Sequence, residues 1–249
     1  MGGAGVPAPD LDTEEEVPMA GGHERALIVG AGDGLSASLA RLFSREGMSV
    51  ALAARRSDKL KSLCDEIGAS AHACDAADPA AVEALFRELD GAGAPSVVVY
   101  NPSFRTQGPL VDLDPDEVRK SLEITAFGAF LVAQQAARRM LEAGGGTILL
   151  TGASAGVKGY PRSAPFAMGK FALRGLAQSM ARELHPKNIH IGHVVIDGGI
   201  RNPGRSEPED QPDSMLDPDA IARAYLDLLR QDRSAWAWEI ELRPWVETF

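Results

Sequence analysis

The stretch RALIVGAGDGLSASLARLFSREG, residues 25–47, decides the fold. It opens on a short apolar run, passes through glycines at 30, 32 and 34, and ends at Gly47. Between them Leu35, Leu39, Leu42 and Phe43 recur at the spacing of one helix face. A strand that turns through glycines straight into a helix begins a βαβ unit. Glycines let the backbone turn tightly and come close to an anionic group. The helix N-terminus behind them offers unpaired N–H groups and the positive end of its dipole. Gly30, Gly32, Asp33, Gly34 and Leu35 are therefore candidate pyrophosphate contacts, and Asp33 brings a negative charge into that cradle.

The pattern continues outward. MSVALAARR reads as a second strand and SDKLKSLCDEIG as a helix opened by a Ser/Asp cap and closed by glycine. SAHACDAAD is a third strand, and PAAVEALFRELDGAG a helix with proline in its first turn. PSVVVYNPS is a fourth strand, apolar enough to be buried on both faces. A single long helix is expected over residues 114–146, then a strand at TILLTGASAG, a helix over residues 163–186 and a strand at NIHIGHVVIDGG. DPDAIARAYLDLLRQ is a last helix and AWAWEIELRP a last strand. Strands alternating with helices imply a doubly wound parallel sheet of Rossmann type, three layers deep. The 249 residues, 45% hydrophobic, suit one domain over residues 25–249. Residues 1–24, rich in Gly, Pro and acids, read as a flexible arm.

That arm carries six acidic side chains and no Lys or Arg, so it holds six of the ten excess negative charges. An acidic balance argues against nucleic acid as a partner. No run of 18 apolar residues exists, so no membrane span is expected, and the N-terminus lacks the basic start and apolar core of a signal peptide. Cys64 and Cys74 show no metal or disulfide spacing, which fits a reducing cytoplasm. The five histidines show no ligand spacing. His190 and His193 fall three apart in a strand and should point to opposite faces.

Ligands of open α/β sheets sit beyond the carboxyl ends of the strands. Arg55 and Arg56 end strand two, where an adenosine ribose would rest. Arginine there accommodates a 2′-phosphate, so NADP(H) is expected in preference to NAD(H). Asp75, followed by Ala76, ends strand three and could accept from an adenine amino group. Asn101, Pro102 and Ser103 end strand four, beside the ribose or nicotinamide.

Together these residues resemble the short-chain dehydrogenase/reductase family, over nearly the whole chain from Arg25 to about Leu242. The family's T-G-x-x-x-G-x-G reads VGAGDGLS, with Ser36 for the last glycine, and its N-A-G reads NPS. Asp197 stands for the proline after strand six, and by the resemblance Ile200 lies against the nicotinamide. The family's proton donor is the tyrosine of Y-x-x-x-K. This chain has Phe166 and Lys170. The family's serine position falls on Ala153, with Ser154 one step away, and its supporting asparagine position on Thr125. The resemblance implies that Lys170 holds the nicotinamide ribose. A phenyl ring gives no proton, so Tyr160, Ser154, Ser163 or Lys170 itself are the candidate donors. The missing acid alone would slow the reaction by ~10²–10⁴ without preventing hydride transfer.

Three functions stay open. One is an atypical NADP(H)-dependent oxidoreductase acting on a small organic molecule. A second is a catalytically inactive nucleotide-binding sensor or partner subunit, and a third is a non-redox enzyme on the same pocket. Small residues at Ala167, Gly169, Ala172, Gly175 and Ala177 allow close helix approach, and the family pairs this helix across a dimer axis. A homodimer or homotetramer is expected, with Trp245 and Phe249 available for burial in it. The polar loop over residues 197–218 is expected to cover the substrate, with Arg201 and Arg205 as loop charges.

Overall fold

The structure is a computed structural model in which residues 24–247 are described. The N-terminal arm and Phe249 lie outside the described residues, apart from Glu24. The chain runs β1 (Arg25–Val29), α1 (Leu35–Arg45), β2 (Ser49–Ala54), α2 (Lys61–Ile67), β3 (Ser70–Ala73), α3 (Pro79–Asp90) and β4 (Val97–Tyr100). It continues with α4 (Pro115–Leu122), α5 (Gly128–Ala143), β5 (Gly146–Thr151), α6 (Ala164–Leu184) and β6 (Ile189–Ile196). The remainder is β7 (Gly199–Ile200), β8 (Met215–Leu216), α7 (Pro218–Leu229) and β9 (Glu239–Leu242). Seven strands form one parallel sheet in the order β3-β2-β1-β4-β5-β6-β9. The order reverses between β1 and β4, and a crevice opens there at the strands' carboxyl ends.

Strand alternation sorts the core into two halves. Leu27, Val29, Ile148 and Leu150 face α3, α5 and α6. Ala26, Ile28 and Leu149 face α1, α2 and α7, where Leu39, Phe43, Leu63 and Tyr225 close the other layer. Ile189 and Ile191 of β6 join the first half, Val194 and Ile196 the second. By that parity His193 and His190 point to opposite sides. Both are structural: His193 Nδ1 lies 2.9 Å from Glu239 Oε2, and the His190 ring stacks on Trp236 at 4.6 Å.

Three local expectations need correction. Residues 115–143 are helical throughout but not one regular α-helix, because Glu123–Phe127 forms a π-turn between α4 and α5. Its wider turn leaves the Ile124 carbonyl to accept from the buried Tyr100 hydroxyl. The Ser57/Asp58 segment forms a 3₁₀ turn before α2 and makes no side-chain cap. The loop after β6 is not wholly irregular, since β7 and β8 pair within it.

Candidate active site

A cleft of about 410 Å³ lies over the carboxyl ends of β1, β2, β3 and β4. Its floor is the glycine turn, with Gly30, Gly32 and Asp33 lining it. Gly30 has φ +78° and sits so close to Pro102 that a Cβ would come within 2.7 Å of it. A Cβ on Gly32 would meet nothing within 4 Å, so the floor there is bare backbone facing open space. Gly34 is the N-cap of α1. No side chain caps that helix and its first turn holds no acid, whereas Asp78, Asp114 and Asp217 cap α3, α4 and α7. The open N–H groups of α1 fit an anionic group. The Leu35 side chain is buried in the core, and neither Gly34 nor Leu35 is among the residues that line the cleft.

Ser36 has taken on a structural task. Its buried hydroxyl donates to the Gly30 carbonyl at 3.1 Å and accepts from Asn101 Nδ2 at 2.8 Å. The Asn101 amide is thus a strut between β4 and the glycine turn, with Pro102 and Ser103 beside it on the cleft wall. Asp75 and Ala76 also line the cleft, and Asp75 Oδ1 accepts from the Ala77 amide at 3.0 Å. Arg55 and Arg56 stand exposed at the end of β2, where they line the cleft together with Lys59. The sequence reading missed Lys59. The signal was present in SDKL, where a 3₁₀ turn swings the lysine back beside the two arginines.

Lys170, Ser154, Tyr160 and Ile200 are not part of that lining. Lys170 lies one helical turn beyond Phe166 on α6 and is 3% exposed, with Nζ donating to the Thr151 carbonyl at 2.7 Å. Burial pushes its ammonium down to about 8. The Ser154 turn rests against it: a Cβ on Gly156 would lie 2.9 Å from the Lys170 carbonyl, so only glycine lets the turn dock there. Tyr160 is 41% exposed, with Lys158 Nζ 5.7 Å from its ring centre. Tyr160 first, then Asp197, hold the Lys158 ammonium above the ordinary lysine range. Asp197 lies 3.6 Å from Lys158 Nζ and 3.5 Å from Arg243 Nη2. Ile200 is half-buried in β7, and Ser163 is buried with no partner for its hydroxyl among the described residues.

Phe166 is half-buried between two cations. Arg105 Cζ lies 5.0 Å from its ring centre and Lys170 Nζ 5.8 Å. Thr125 is fully buried, and its hydroxyl accepts from the Phe104 amide at 3.4 Å. Arg201 pairs with Asp217 at 2.8 Å, as a loop charge would. No helix among the described residues is long and apolar enough to cross a membrane.

Comparison with known proteins agrees with this geometry. The profile of the short chain dehydrogenase family matches residues 24–210. The trans-4-hydroxycyclohexanecarboxylate dehydrogenase of Sinomonas cyclohexanicum is 32% identical over 194 residues, 72% of this chain and 73% of its own length. The cyclic-di-GMP-binding biofilm dispersal mediator protein of Escherichia coli K12 is 32% identical over 195 residues, 76% of this chain and 80% of its own. An alcohol dehydrogenase from the archaeon Thermococcus sibiricus, solved in complex with 5-hydroxy-NADP, superposes with a TM-score of 0.80. It has 25% identity and covers 91% of this chain and 99% of its own.

Proposed function

The chain belongs to the short-chain dehydrogenase family, and on that premise we propose that it is an NADP(H)-preferring oxidoreductase of small organic molecules whose proton-delivering residues have been replaced. The observation that carries the proposal is the trio Arg55, Arg56 and Lys59 on the cleft wall beyond β2. Three cations at that corner outnumber the two carboxylates of the lining, Asp33 and Asp75, and suit a 2′-phosphate, and arginine's planar fork suits it best. The bare backbone at Gly32 and the open end of α1 would take the pyrophosphate. Lys170, supported by Thr151, would hold the nicotinamide ribose. A bound nicotinamide supplies or accepts the hydride. Asp33 and Asp75 oppose a phosphate, and both stand exposed where solvent screens them.

Titration of NADPH and NADH against wild type and Arg55→Ala/Arg56→Ala tests the reading. Each charge-assisted contact is worth ~1.5–3 kcal/mol, so the double variant should lose roughly 10²- to 10⁴-fold in NADPH affinity and little for NADH. Equal losses for both would overturn the NADP preference. Activity is then sought with cyclohexanone, 4-oxocyclohexanecarboxylate and phenanthrenequinone.

Phe166 supports a second reading, that of a nucleotide-binding protein without turnover, and the cyclic-di-GMP-binding relative keeps company with it. Wild type that binds NADPH and reduces none of the panel, beside a Phe166→Tyr variant that does, would favour that reading.

The protein is further proposed to act as a homo-oligomer. Met168, Phe171, Ala172 and Gly175 form one exposed stripe along α6, and Phe127 and Phe130 lie exposed where the π-turn passes into α5. Gly169 and Ala177 face inward instead, Gly169 against Thr125.

A further inference from the structure

The Arg105 side chain stands on the ring of Phe166, and this is a built contact. The Ser121 hydroxyl lies 3.0 Å from the Phe104 carbonyl and 3.1 Å from the Pro165 carbonyl. One buried donor therefore holds the residue before Arg105 and the residue before Phe166. The Phe104 amide is bound by Thr125, and farther along the Gly108 amide donates to the Arg162 carbonyl at 3.0 Å. The segment is thus anchored on both sides of Arg105. The Gln107 carboxamide, with its oxygen toward the guanidinium, accepts from Arg105 Nη2 at 3.0 Å and Nε at 3.3 Å. That leaves the Nη1 edge without a partner among the described residues.

No carboxylate among the described residues pairs with either Arg105 or Lys170. Two cations converge on one phenyl ring beyond the ends of β4 and β5, and no carboxylate among the described residues neutralises them. A ring face offers a guanidinium only weak attraction, whereas a negatively charged oxygen accepts a strong charge-assisted hydrogen bond from its edge.

We propose that Arg105, propped on Phe166, is the group that stabilises negative charge on the substrate oxygen during hydride transfer. The proposal rests on the oxidoreductase reading above. Hydride arriving from a reduced nicotinamide forms a C–H bond at the carbonyl carbon, and the π pair of C=O withdraws onto oxygen. The substrate is reduced and the nicotinamide oxidised. The guanidinium donates a hydrogen bond to the alkoxide but keeps its proton. Water then protonates the oxygen and hydroxide leaves to bulk solvent. Substrates whose reduction localises charge on oxygen, such as quinones and activated ketones, fit this arrangement.

The test is steady-state reduction of phenanthrenequinone by wild type, Arg105→Ala, Arg105→Lys and Phe166→Leu, with NADPH affinity measured for each by nucleotide fluorescence. Removing one donor from a developing oxyanion costs ~10²–10³ in kcat. Arg105→Ala should fall by that much, with KM and NADPH affinity little changed and with partial recovery on adding guanidinium ion. Arg105→Lys should fall less, and Phe166→Leu by roughly 2- to 10-fold through loss of the cation–π support. A kcat for Arg105→Ala within about 2-fold of wild type overturns the proposal and leaves the oxidoreductase reading intact, and so does a change in KM alone. Wild type that binds NADPH and reduces nothing overturns both.

Discussion

Lys170 concentrates the physics of the proposed site in one side chain. Its ammonium is buried, its only hydrogen bond among the described residues goes to a backbone carbonyl, and its pKa drops from 10.5 to about 8. Between those values the unfolded chain binds more protons than the folded one, so this residue's contribution to stability rises with pH across that window. Below about 8 both states are charged and the folded state bears the full desolvation cost. Above 10.5 both are neutral and the cost is gone. The difference in unfolding free energy between wild type and Lys170→Met, followed by urea titration, should shift in favour of wild type as pH rises from about 8 towards 10.5. No shift across that window would show that Lys170 is hydrated, and a shift the other way would show that a negative charge holds it. The same titration would reach the ligand, since the ammonium proposed to hold the ribose is lost as pH rises through about 8. NADPH affinity should weaken there in wild type and stay flat in Lys170→Met.

At the scale of elements, close approaches decide which residues are tolerated. A Cβ on Gly128 would lie 2.4 Å from the Tyr100 hydroxyl and 2.7 Å from the Ala76 carbonyl, because the head of α5 packs directly on the ends of β3 and β4. Gly128→Ala should cost about 1–3 kcal/mol by overpacking, read from denaturant unfolding. Asp78 caps α3 by accepting from the amides of Ala80 and Ala81, and Asp78→Ala should cost ~0.5–2 kcal/mol in the same assay. Local patterns made much of this legible. The alternation of apolar strand and helix, the proline at N1 of α3 and the left-handed Gly68 that ends α2 are all written within a few residues of sequence. The π-turn at Glu123–Phe127 was not legible, because it answers to a hydroxyl on β4 some twenty residues earlier. The Asn101 strut depends on Ser36, and the Arg105 contact depends on Ser121 and Pro165. Such pairings form only when distant loops meet over the sheet, so single-segment reading finds the residues but not their tasks.

On the scale of the molecule, the switch point between β1 and β4 divides the proposed site. One side holds the glycine turn and the cations at 55, 56 and 59, and the other holds Lys170, Phe166 and Arg105. The proposed assembly surface is the outward faces of α5 and α6. Phe171→Glu with Phe130→Glu should yield a monomer by sedimentation while NADPH affinity stays within a few-fold of wild type. An unchanged sedimentation coefficient would place the contact elsewhere. Because exposed cations act over about one Debye length, NADPH binding should also weaken from low to physiological salt more steeply than NADH binding. The most direct measurement is calorimetric titration of the wild-type protein with NADPH and with NADH. The account predicts one site per chain, with NADPH bound at least roughly 10-fold more tightly through its extra charge-assisted contacts. NADH bound as tightly as NADPH, or no heat from either, would contradict it.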